Sequence, residues 1–214
     1  MDPLLFLDNL SWHGPAPVLR ALTWTIAPGE RWAVVGPEGC GKSTLLRLMA
    51  GLLRPSGGAV WLDGQPCATV VNRAERVGVL FGEPATRFLT PVVWEEVALT
   101  PAFYGLAGEA LQQRVAETLQ WAGVPADLAS RELATLSTAE CARVAWAVAW
   151  VMRPKLLLLD EPGAYLSAAG EAEMADRLGG LPTVASVVFT SRMERAKQFA
   201  DRLLWLEGGE VRFL

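Results

Sequence analysis

Short apolar runs alternate with segments of helical periodicity along this chain. The apolar runs predict β-strands at Leu4–Leu7, Leu22–Ile26, Trp32–Val35, Ala59–Leu62, Val77–Phe81, Leu156–Leu159, Val184–Thr190 and Leu203–Leu206. Apolar residues spaced three and four apart predict helices at Lys42–Ala50, Val93–Leu99, Glu109–Trp121, Ala139–Met152, Ala168–Leu178 and Arg192–Ala200. Alternation of this kind is typical of a mostly parallel sheet covered by helices, and therefore of an α/β fold.

Local signals refine this prediction. The run Leu156–Leu159 is continuously apolar, as expected of a central strand buried on both faces. Gly51 and Gly123 stand where helix C-terminal caps belong, and Ser137 stands where an N-cap belongs. The region Val93–Met152 contains helix candidates and no strand candidate, so we expect a helical subdomain inserted into the order of the sheet.

One motif carries most of the predicted chemistry, and its residues are Gly36, Pro37, Glu38, Gly39, Cys40, Gly41, Lys42 and Ser43. A predicted strand precedes it and a predicted helix follows it, with Thr44 in the first turn, which is the context that a phosphate-binding P-loop requires. Glycines let backbone N–H groups converge on phosphates, and the helix N-terminus adds partial positive charge. We expect Lys42 to reach the β- and γ-phosphates of a nucleoside triphosphate and the Ser43 hydroxyl to bind Mg²⁺.

Two acids follow the most apolar strand candidate. Asp160 is placed to hold Mg²⁺ through water, and Glu161 is placed to polarise an attacking water as a general base. Charged strand ends are common, so this pair is informative because the P-loop accompanies it.

Composition limits the alternatives. The 214 residues suffice for one domain, and a net charge of −4 gives no basic footprint for nucleic acid. Three scattered cysteines and the single histidine, His13, predict neither a disulfide framework nor a zinc site. The N-terminus lacks the basic region of a signal peptide, and no apolar run approaches ~20 residues, so we expect no leader and no membrane span. A mean hydropathy of +0.26 fits either a large core or apolar surface covered by a partner.

These motifs resemble the ATP-binding subunits of ABC transporters over essentially the whole chain. Val18–Glu30 is similar to the family's lead-in to the P-loop, and Leu136–Glu140 stands where its Leu-Ser-Gly-Gly-Gln signature belongs. Ser137 precedes Asp160 by 23 positions, which is about the family's spacing. Val77–Pro84 and Thr90–Ala98 resemble the energy-coupling-factor branch, which serves uptake of vitamins and of cobalt or nickel.

The resemblance implies a P-loop NTPase (RecA-like) core with an N-terminal antiparallel β subdomain and an inserted helical subdomain at about residues 88–152, all in one domain spanning residues 1–214. It further implies that the chain binds ATP and Mg²⁺, dimerises with a second ATP-binding subunit, and associates with a transmembrane subunit at the cytoplasmic face of the membrane. Family members stack an aromatic on the adenine, and either Trp12 or His13 occupies that region. Trp94, Phe88 and Phe103 fall where a membrane subunit docks in the family, whereas Trp146 and Trp150 are expected in the core.

Several positions depart from the family's pattern. Gly82 replaces a Gln that touches Mg²⁺ and the attacking water, and Ser191 replaces a switch His that contacts the γ-phosphate. In the signature, Thr138 and Ala139 replace glycines and Glu140 replaces Gln. After Glu161, Ser167 stands where the family has an Asp, and Glu38 is an acid in the phosphate loop, where the family favours a small or amide side chain. Side chains at the signature obstruct approach to a phosphate, and carboxylates there repel it.

These departures argue for impaired hydrolysis, although the presence of Asp160 and Glu161 is compatible with slow turnover. The candidate catalytic residues are Glu161, Lys42 and Ser191. Because the signature of one subunit serves the site of the other, we favour a heterodimer with a fuller ATPase over a slow homodimer. A regulatory subunit that binds ATP without cleaving it is the second candidate. A non-transport role on DNA or ribosomes fits poorly, since the chain has no paired domain, coiled-coil insertion or basic patch.

Overall fold

A computed structural model describes residues 3–14, 19–67, 73–82 and 88–214 of the chain. The strands are β1 (Leu5–Trp12), β2 (Leu19–Ile26), β3 (Arg31–Val35), β4 (Gly57–Leu62), β5 (Gln65–Pro66), β6 (Val77–Leu80), β7 (Leu156–Asp160), β8 (Ala185–Thr190), β9 (Arg202–Glu207) and β10 (Glu210–Phe213). The helices are α1 (Lys42–Met49), α2 (Val93–Phe103), α3 (Gly108–Trp121), α4 (Thr138–Trp150), α5 (Ala168–Gly179) and α6 (Met193–Phe199).

The strands form two sheets. The larger has the order β10-β9-β3-β8-β7-β6 and is parallel except for the β10–β9 pair. The smaller is antiparallel and has the order β2-β1-β4-β5. The predicted α/β class with an N-terminal antiparallel part is therefore confirmed.

Alternate side chains of the central strands enter two separate cores. On β7, Leu156 and Leu158 pack with α1 and the antiparallel sheet, whereas Leu157 and Leu159 pack with the helices on the opposite face. All four are fully buried, because successive side chains of a strand point to opposite faces. The same arrangement holds β3 rigidly, and the phosphate loop continues from its end.

Helices α2 to α4 fill the stretch between β6 and β7, as the absence of strand signals predicted. Trp146 is fully buried and donates its indole N–H to the Pro162 carbonyl oxygen at 3.2 Å. Its ring contacts Trp121 and Phe199, and Trp150 packs on Trp121, so both predicted core tryptophans are confirmed. The Trp146 hydrogen bond ties α4 directly to the segment that follows Glu161.

Some predicted boundaries were wrong, each for a local reason. β1 continues to Trp12 because register shifts beside Asn9, whose φ is 48°, interrupt the alternation that a strand normally displays. α2 continues four residues past its predicted end and includes Pro101, although prolines usually end helices. The short strands β5 and β10 were missed because neither has an apolar run.

Smaller corrections affect other element ends. β2 starts at Leu19, three residues before its predicted start. Shifts of one or two residues occur elsewhere, for example in α1, ending at Met49; β6, ending at Leu80; α4, at Thr138–Trp150; β8, starting at Ala185; and α6, at Met193–Phe199. Gly51 and Gly123 have φ of 67° and 69° immediately after helix C-caps, which confirms their predicted role. The division into a single domain with a helical part at residues 88–152 stays a prediction.

An ion-pair cluster joins α4 to α5 and makes stability depend on pH. Glu173 accepts from Arg143 at 2.5 Å and from Arg177 at 2.7 Å, and these hydrogen bonds lower the pKa of Glu173. Because the pKa of Glu173 is lower in the folded state, the cluster stabilises the folded protein fully at pH values above the unfolded-state pKa of 4.5. This stabilisation is lost as the pH falls through the folded-state pKa of Glu173.

We expect Glu173→Gln to lower the free energy of unfolding at pH 7 by about 1 kcal/mol, after allowing for solvent screening. Its difference from wild type should shrink below about pH 4. Denaturant unfolding at several pH values measures this, with the exposed Glu95→Gln as the matched control. A difference that grows on acidification would contradict the assignment.

No helix among the described residues combines the length and the apolar character needed to cross a bilayer.

Candidate nucleotide-binding site

A cavity of about 410 Å³ lies at the carboxyl ends of the parallel strands, where α/β proteins bind ligands. It is lined by Glu38, Gly39, Gly41, Lys42, Ser43, Thr44, Gly82, Asp160, Glu161, Ala164, Tyr165 and Ser191. The structure thus brings together residues from the P-loop, the end of β7 and the end of β8. Of the predicted phosphate-loop residues, Gly36, Pro37 and Cys40 are not among the lining residues.

The glycines of the loop have distinct structural roles. Gly41 adopts a φ of 110° and Gly39 a φ of 76°, conformations that disfavour other residues. A Cβ atom at Gly36 would lie 2.2 Å from the Leu206 carbonyl oxygen, so only glycine lets the loop pass this close to β9. The loop then enters α1, where Leu45 donates its N–H to the Gly41 carbonyl oxygen.

Lys42 is buried within the loop. Its Nζ donates to the carbonyl oxygens of Gly36 and Pro37, both at 2.8 Å, and lies 3.9 Å from the Cys40 Sγ. The ammonium is therefore held beside the cavity by acceptors that belong to the loop itself. A phosphate oxygen offers a stronger, charge-assisted acceptor than these neutral carbonyls.

Ser43 and Asp160 form an oxygen-lined corner of the cavity. The Ser43 hydroxyl donates to Asp160 Oδ2 at 3.0 Å. Burial raises the pKa of Asp160, and the neighbouring Glu161 charge raises it further, against the opposing effects of the Ser43 hydrogen bond and Lys42. One carboxylate and one hydroxyl suit Mg²⁺, which usually takes one or two protein ligands together with phosphates and water. The donor set therefore fits the predicted metal.

Glu161 has an unusual environment. Its φ of 46° lies in the left-handed region, and its N–H donates to the Phe189 carbonyl oxygen on β8. Oε1 accepts from the N–H of Ser191 at 2.8 Å and from its hydroxyl at 3.3 Å. Oε2 accepts from the Thr190 hydroxyl at 2.9 Å and from Arg195 Nη1 at 2.7 Å. The carboxylate thus borders the cavity but is bound by β8 and α6.

Gly82 leaves space beside the metal corner. A Cβ atom at Gly82 would have the Asp160 carbonyl oxygen, Cγ and Oδ2 as its nearest neighbours, at 3.8 to 4.0 Å. These are ordinary van der Waals distances, so a side chain fits there and would begin next to the Asp160 carboxylate.

We expect Gly82→Gln to raise ATP turnover about tenfold by restoring an amide beside Asp160. A positioned group contributes up to 10²–10⁴-fold, and Ser191 still lacks an imidazole, so full recovery is not expected. Gly82→Ala is the matched control because it adds the Cβ atom without the amide. Equal rates for the two variants would refute the explanation.

The signature segment begins helix α4 with a capping box. The Ser137 hydroxyl accepts from the Glu140 N–H at 3.3 Å, and Glu140 Oε2 accepts from both the N–H and the hydroxyl of Ser137 at 2.7 Å. The predicted N-cap at Ser137 is confirmed. These hydrogen bonds lower the pKa of Glu140, so its carboxylate carries negative charge at the helix start. A phosphate approaching this end would meet that charge.

The two candidates for adenine stacking lie at the end of β1, and neither belongs to the described residues that line the cavity. The Trp12 ring covers Gly14, where a Cβ atom would lie 1.9 Å from the indole. His13 is exposed, and its backbone N–H donates to the Ser56 hydroxyl at 3.0 Å. The choice between them stays a prediction, and Pro15–Val18 and Glu83–Pro84 lie outside the described residues.

Sequence reasoning missed three residues around Glu161: Thr190 and Arg195, which donate to its carboxylate, and Glu171, which binds Arg195. Arg195 lies on the seven-residue helix α6, where an arginine normally indicates a solvated face. A buried arginine needs a carboxylate partner, but the sequence does not reveal that two acids distant in the chain meet it.

The comparisons with known proteins agree with this geometry. A sequence model of the family described as ABC transporter matches residues 19–164. The ATP-binding protein EcfA2 of the energy-coupling factor transporter from Methanospirillum hungatei is 33% identical over 99% of this chain, and the chain spans 55% of that protein's length. The EcfA2 protein from Symbiobacterium thermophilum is 36% identical, in an alignment that covers 92% of this chain and 70% of that protein's length. The cobalt import ATP-binding protein CbiO from Rhodobacter capsulatus is 36% identical over 99% of this chain and 78% of its own length.

Two solved structures have the same fold. CbiO1 from Clostridium perfringens, described as part of the transporter complex cbiONQ, superposes with a TM-score of 0.87 at 26% identity, covering 99% of this chain and 88% of its own. The dimeric ATP-binding cassette MJ0796, described as a post-hydrolysis state bound to ADP and Pi, gives 0.88 at 25% identity over 98% of this chain and 97% of its own. The chain belongs to the ABC transporter family of ATPases, and within it to the energy-coupling-factor branch of ATP-binding proteins.

Proposed function

We propose that this chain binds Mg-ATP and couples ATP binding and hydrolysis to import of a metal ion or a vitamin through a membrane partner. The family and the branch support the transport role, because similar proteins are named for energy-coupling factors and for cobalt import. The chain then acts at the cytoplasmic face of the membrane, held there by that partner.

One observation carries the proposal: Lys42, Ser43, Asp160 and Glu161 surround a single cavity. Lys42 exchanges its loop carbonyls for the β- and γ-phosphates, while the N–H groups of residues 39–44 bind phosphate oxygens. Ser43 and Asp160 would hold Mg²⁺, which neutralises phosphate charge when bound.

Two further residues complete the proposed mechanism. Glu161 orients the attacking water and accepts its proton, and Ser191 supports that carboxylate through its N–H and hydroxyl. Trp12 or His13 supports the adenine. Because Gly82 offers no side chain to the water, turnover by this site is slow.

The membrane partner is proposed to dock at an apolar groove of about 430 Å³ beside β6, α2 and α4. Phe88 and Leu89 line the groove, and Leu89 is 81% exposed. The buried Glu96 carboxylate accepts from the N–H groups of Leu89 and Thr90 at 2.8 Å, so the rim of the groove is fixed in place.

Phe103, which is 84% exposed at the end of α2, extends the apolar surface, whereas Trp94 is partly buried in the core. Aromatic anchors of this kind are common at interfaces.

We expect Leu89→Ser to reduce recovery of the membrane subunit about tenfold while Mg-ATP binding is unchanged, because an interface anchor contributes on the order of 1.4 kcal/mol or more. Leu214→Ser is a matched control, because Leu214 is also strongly exposed but lies far from the groove. It follows β10, which forms the edge of the larger sheet opposite to β6. Unchanged recovery of the membrane subunit with Leu89→Ser would count against the groove.

The second candidate is a hydrolysis-impaired regulatory subunit paired with an active ATPase. Gly82 and Ser191 weaken this chain's own site, whereas Thr138, Ala139 and the Glu140 carboxylate weaken the site that the signature serves in a partner. A homodimer would carry both defects twice, so we favour a heterodimer with a fuller ATPase.

Co-purification of the tagged chain from its native host tests both candidates. The first predicts a membrane subunit, a second ATPase and Mg-ATP turnover that falls when Glu161 is replaced. The regulatory role predicts the same partners and tight ATP binding, with turnover that is insensitive to Glu161. A free monomer that binds no nucleotide would refute both.

A further inference from the structure

The Glu161 carboxylate has no acceptor site left for water in this conformation. A carboxylate offers about four lone-pair sites, and the four donors from Thr190, Ser191 and Arg195 fill them. A general base must accept a hydrogen bond from the water that it activates. One of the four donors therefore has to leave before Glu161 can act.

Arg195 is the donor that is least able to leave. Its side chain is 8% exposed, and its Nε and Nη2 groups also bind the carboxylate of Glu171 on α5, which is 13% exposed. Moving Arg195 away from Glu161 would break a buried charge-assisted hydrogen bond, whereas Ser191 is exposed and free to turn toward water. The fixed arginine thus holds Oε2 toward α6.

The position of Glu171 is itself fixed by close packing. A Cβ atom at Gly163 would lie 2.3 Å from the Glu171 Cδ, so the chain just after Glu161 is in direct contact with the acid that anchors Arg195. The three charged residues Glu161, Arg195 and Glu171 therefore join β7, α6 and α5 in one network.

We propose that Arg195, anchored by Glu171 and assisted by Thr190, is a positioning residue that restrains Glu161 and thereby limits the rate of ATP hydrolysis. The inference rests on the proposed function, since it assigns Glu161 the role of general base. It adds a cause of slow turnover that is separate from the lost glutamine and histidine. Water then reaches only Oε1, once the Ser191 hydroxyl has turned away, because Arg195 keeps Oε2 bound to α6.

The test compares ATP turnover of the assembled transporter with that of Arg195→Met/Glu171→Gln, which removes the restraint without leaving a buried unpaired charge. The partner ATPase carries a substitution of its own general base, so that only this chain's site is measured. We expect kcat to rise about tenfold with KM for ATP within twofold, consistent with one charge-assisted hydrogen bond. Structural damage would lower the rate, so an increase separates restraint from a merely structural role.

Two matched controls accompany this variant. Glu171→Gln alone weakens the anchor but keeps the Arg195–Glu161 pair, so its kcat is expected to lie between those of wild type and the double variant. Arg195→Lys keeps a cation beside Glu161 but lacks the planar fork that spans both carboxylates, so its kcat is expected to rise less than that of the double variant. If the double variant fails to fold, Thr190→Val decides, because it removes the other donor to Oε2 and should also raise kcat.

A second readout needs no nucleotide. Each variant, Arg195→Met, Glu161→Gln and their combination, changes the melting temperature. If Arg195 and Glu161 are coupled as their distance indicates, the change in the combined variant should differ from the sum of the two single changes by about 2–4 °C. Additive values would overturn the proposal, as would an unchanged or lower kcat in the double variant of a transporter that binds Mg-ATP. Failure of the wild-type assembly to bind Mg-ATP would instead refute the proposed function.

Discussion

Replacement of Lys42 by alanine is expected to weaken Mg-ATP binding by about two orders of magnitude. The ammonium lies in the loop with two carbonyl oxygens as its acceptors, and phosphate oxygens would replace them as stronger partners. Loss of one or two charge-assisted hydrogen bonds of about 1.5–3 kcal/mol each gives an effect of that size. Isothermal titration calorimetry of the purified chain with Mg-ATP measures it directly.

Lys197→Ala provides the matched control, because Lys197 is exposed on α6 and has the same charge. It should leave the affinity within about twofold, since isolated surface charges contribute little. Equal affinities for wild type and Lys42→Ala would remove the P-loop from the binding site and with it the proposed function.

Replacement of Glu161 by glutamine is expected to lower ATP turnover at this site about 10²–10⁴-fold while Mg-ATP affinity stays within a few-fold. Glutamine has the size of glutamate and still accepts hydrogen bonds through its carbonyl oxygen, but it cannot take a proton from water. Steady-state ATPase assays of the assembled transporter, with the partner's base removed, give kcat, and titration gives the affinity.

A neighbouring acid supplies the control for this experiment. Glu194→Gln changes an exposed carboxylate on α6, the helix that carries Arg195, and should leave both quantities unchanged. If Glu161→Gln retained the wild-type rate although the wild-type site turned over ATP, another group would have to act as the base.

The parts of the fold that the sequence predicted well are those in which one residue decides the local conformation. Few backbone conformations suit the loop at Gly36 and Gly41, so the P-loop and the helix after it could be predicted from the sequence. The continuous apolar run of β7 likewise predicted the central strand. Ser137 with Glu140 three positions later is a local capping pattern, so the start of α4 was also predictable.

What the sequence could not provide was the set of contacts between distant segments. Glu161 and Arg195 are separated by 34 positions, and Glu171 belongs to a third element. Each has an ordinary local context, and only the packing of α5 against α6, and of α6 against β3 and β8, brings them within hydrogen-bond distance. The course of β1 was similarly hidden, because a bulge at Asn9 breaks the period on which strand prediction depends.

The backbone of Glu161 bears on how natural selection has acted on this chain. A non-glycine residue with φ of 46° costs on the order of 1–2 kcal/mol, whereas glycine or asparagine adopts that conformation with little or no penalty. Random substitution at this codon would therefore find more stable replacements if the carboxylate had no use. Glutamate at this position therefore argues that the carboxylate is still needed, either to act on water or to accept the hydrogen bonds from Thr190, Ser191 and Arg195.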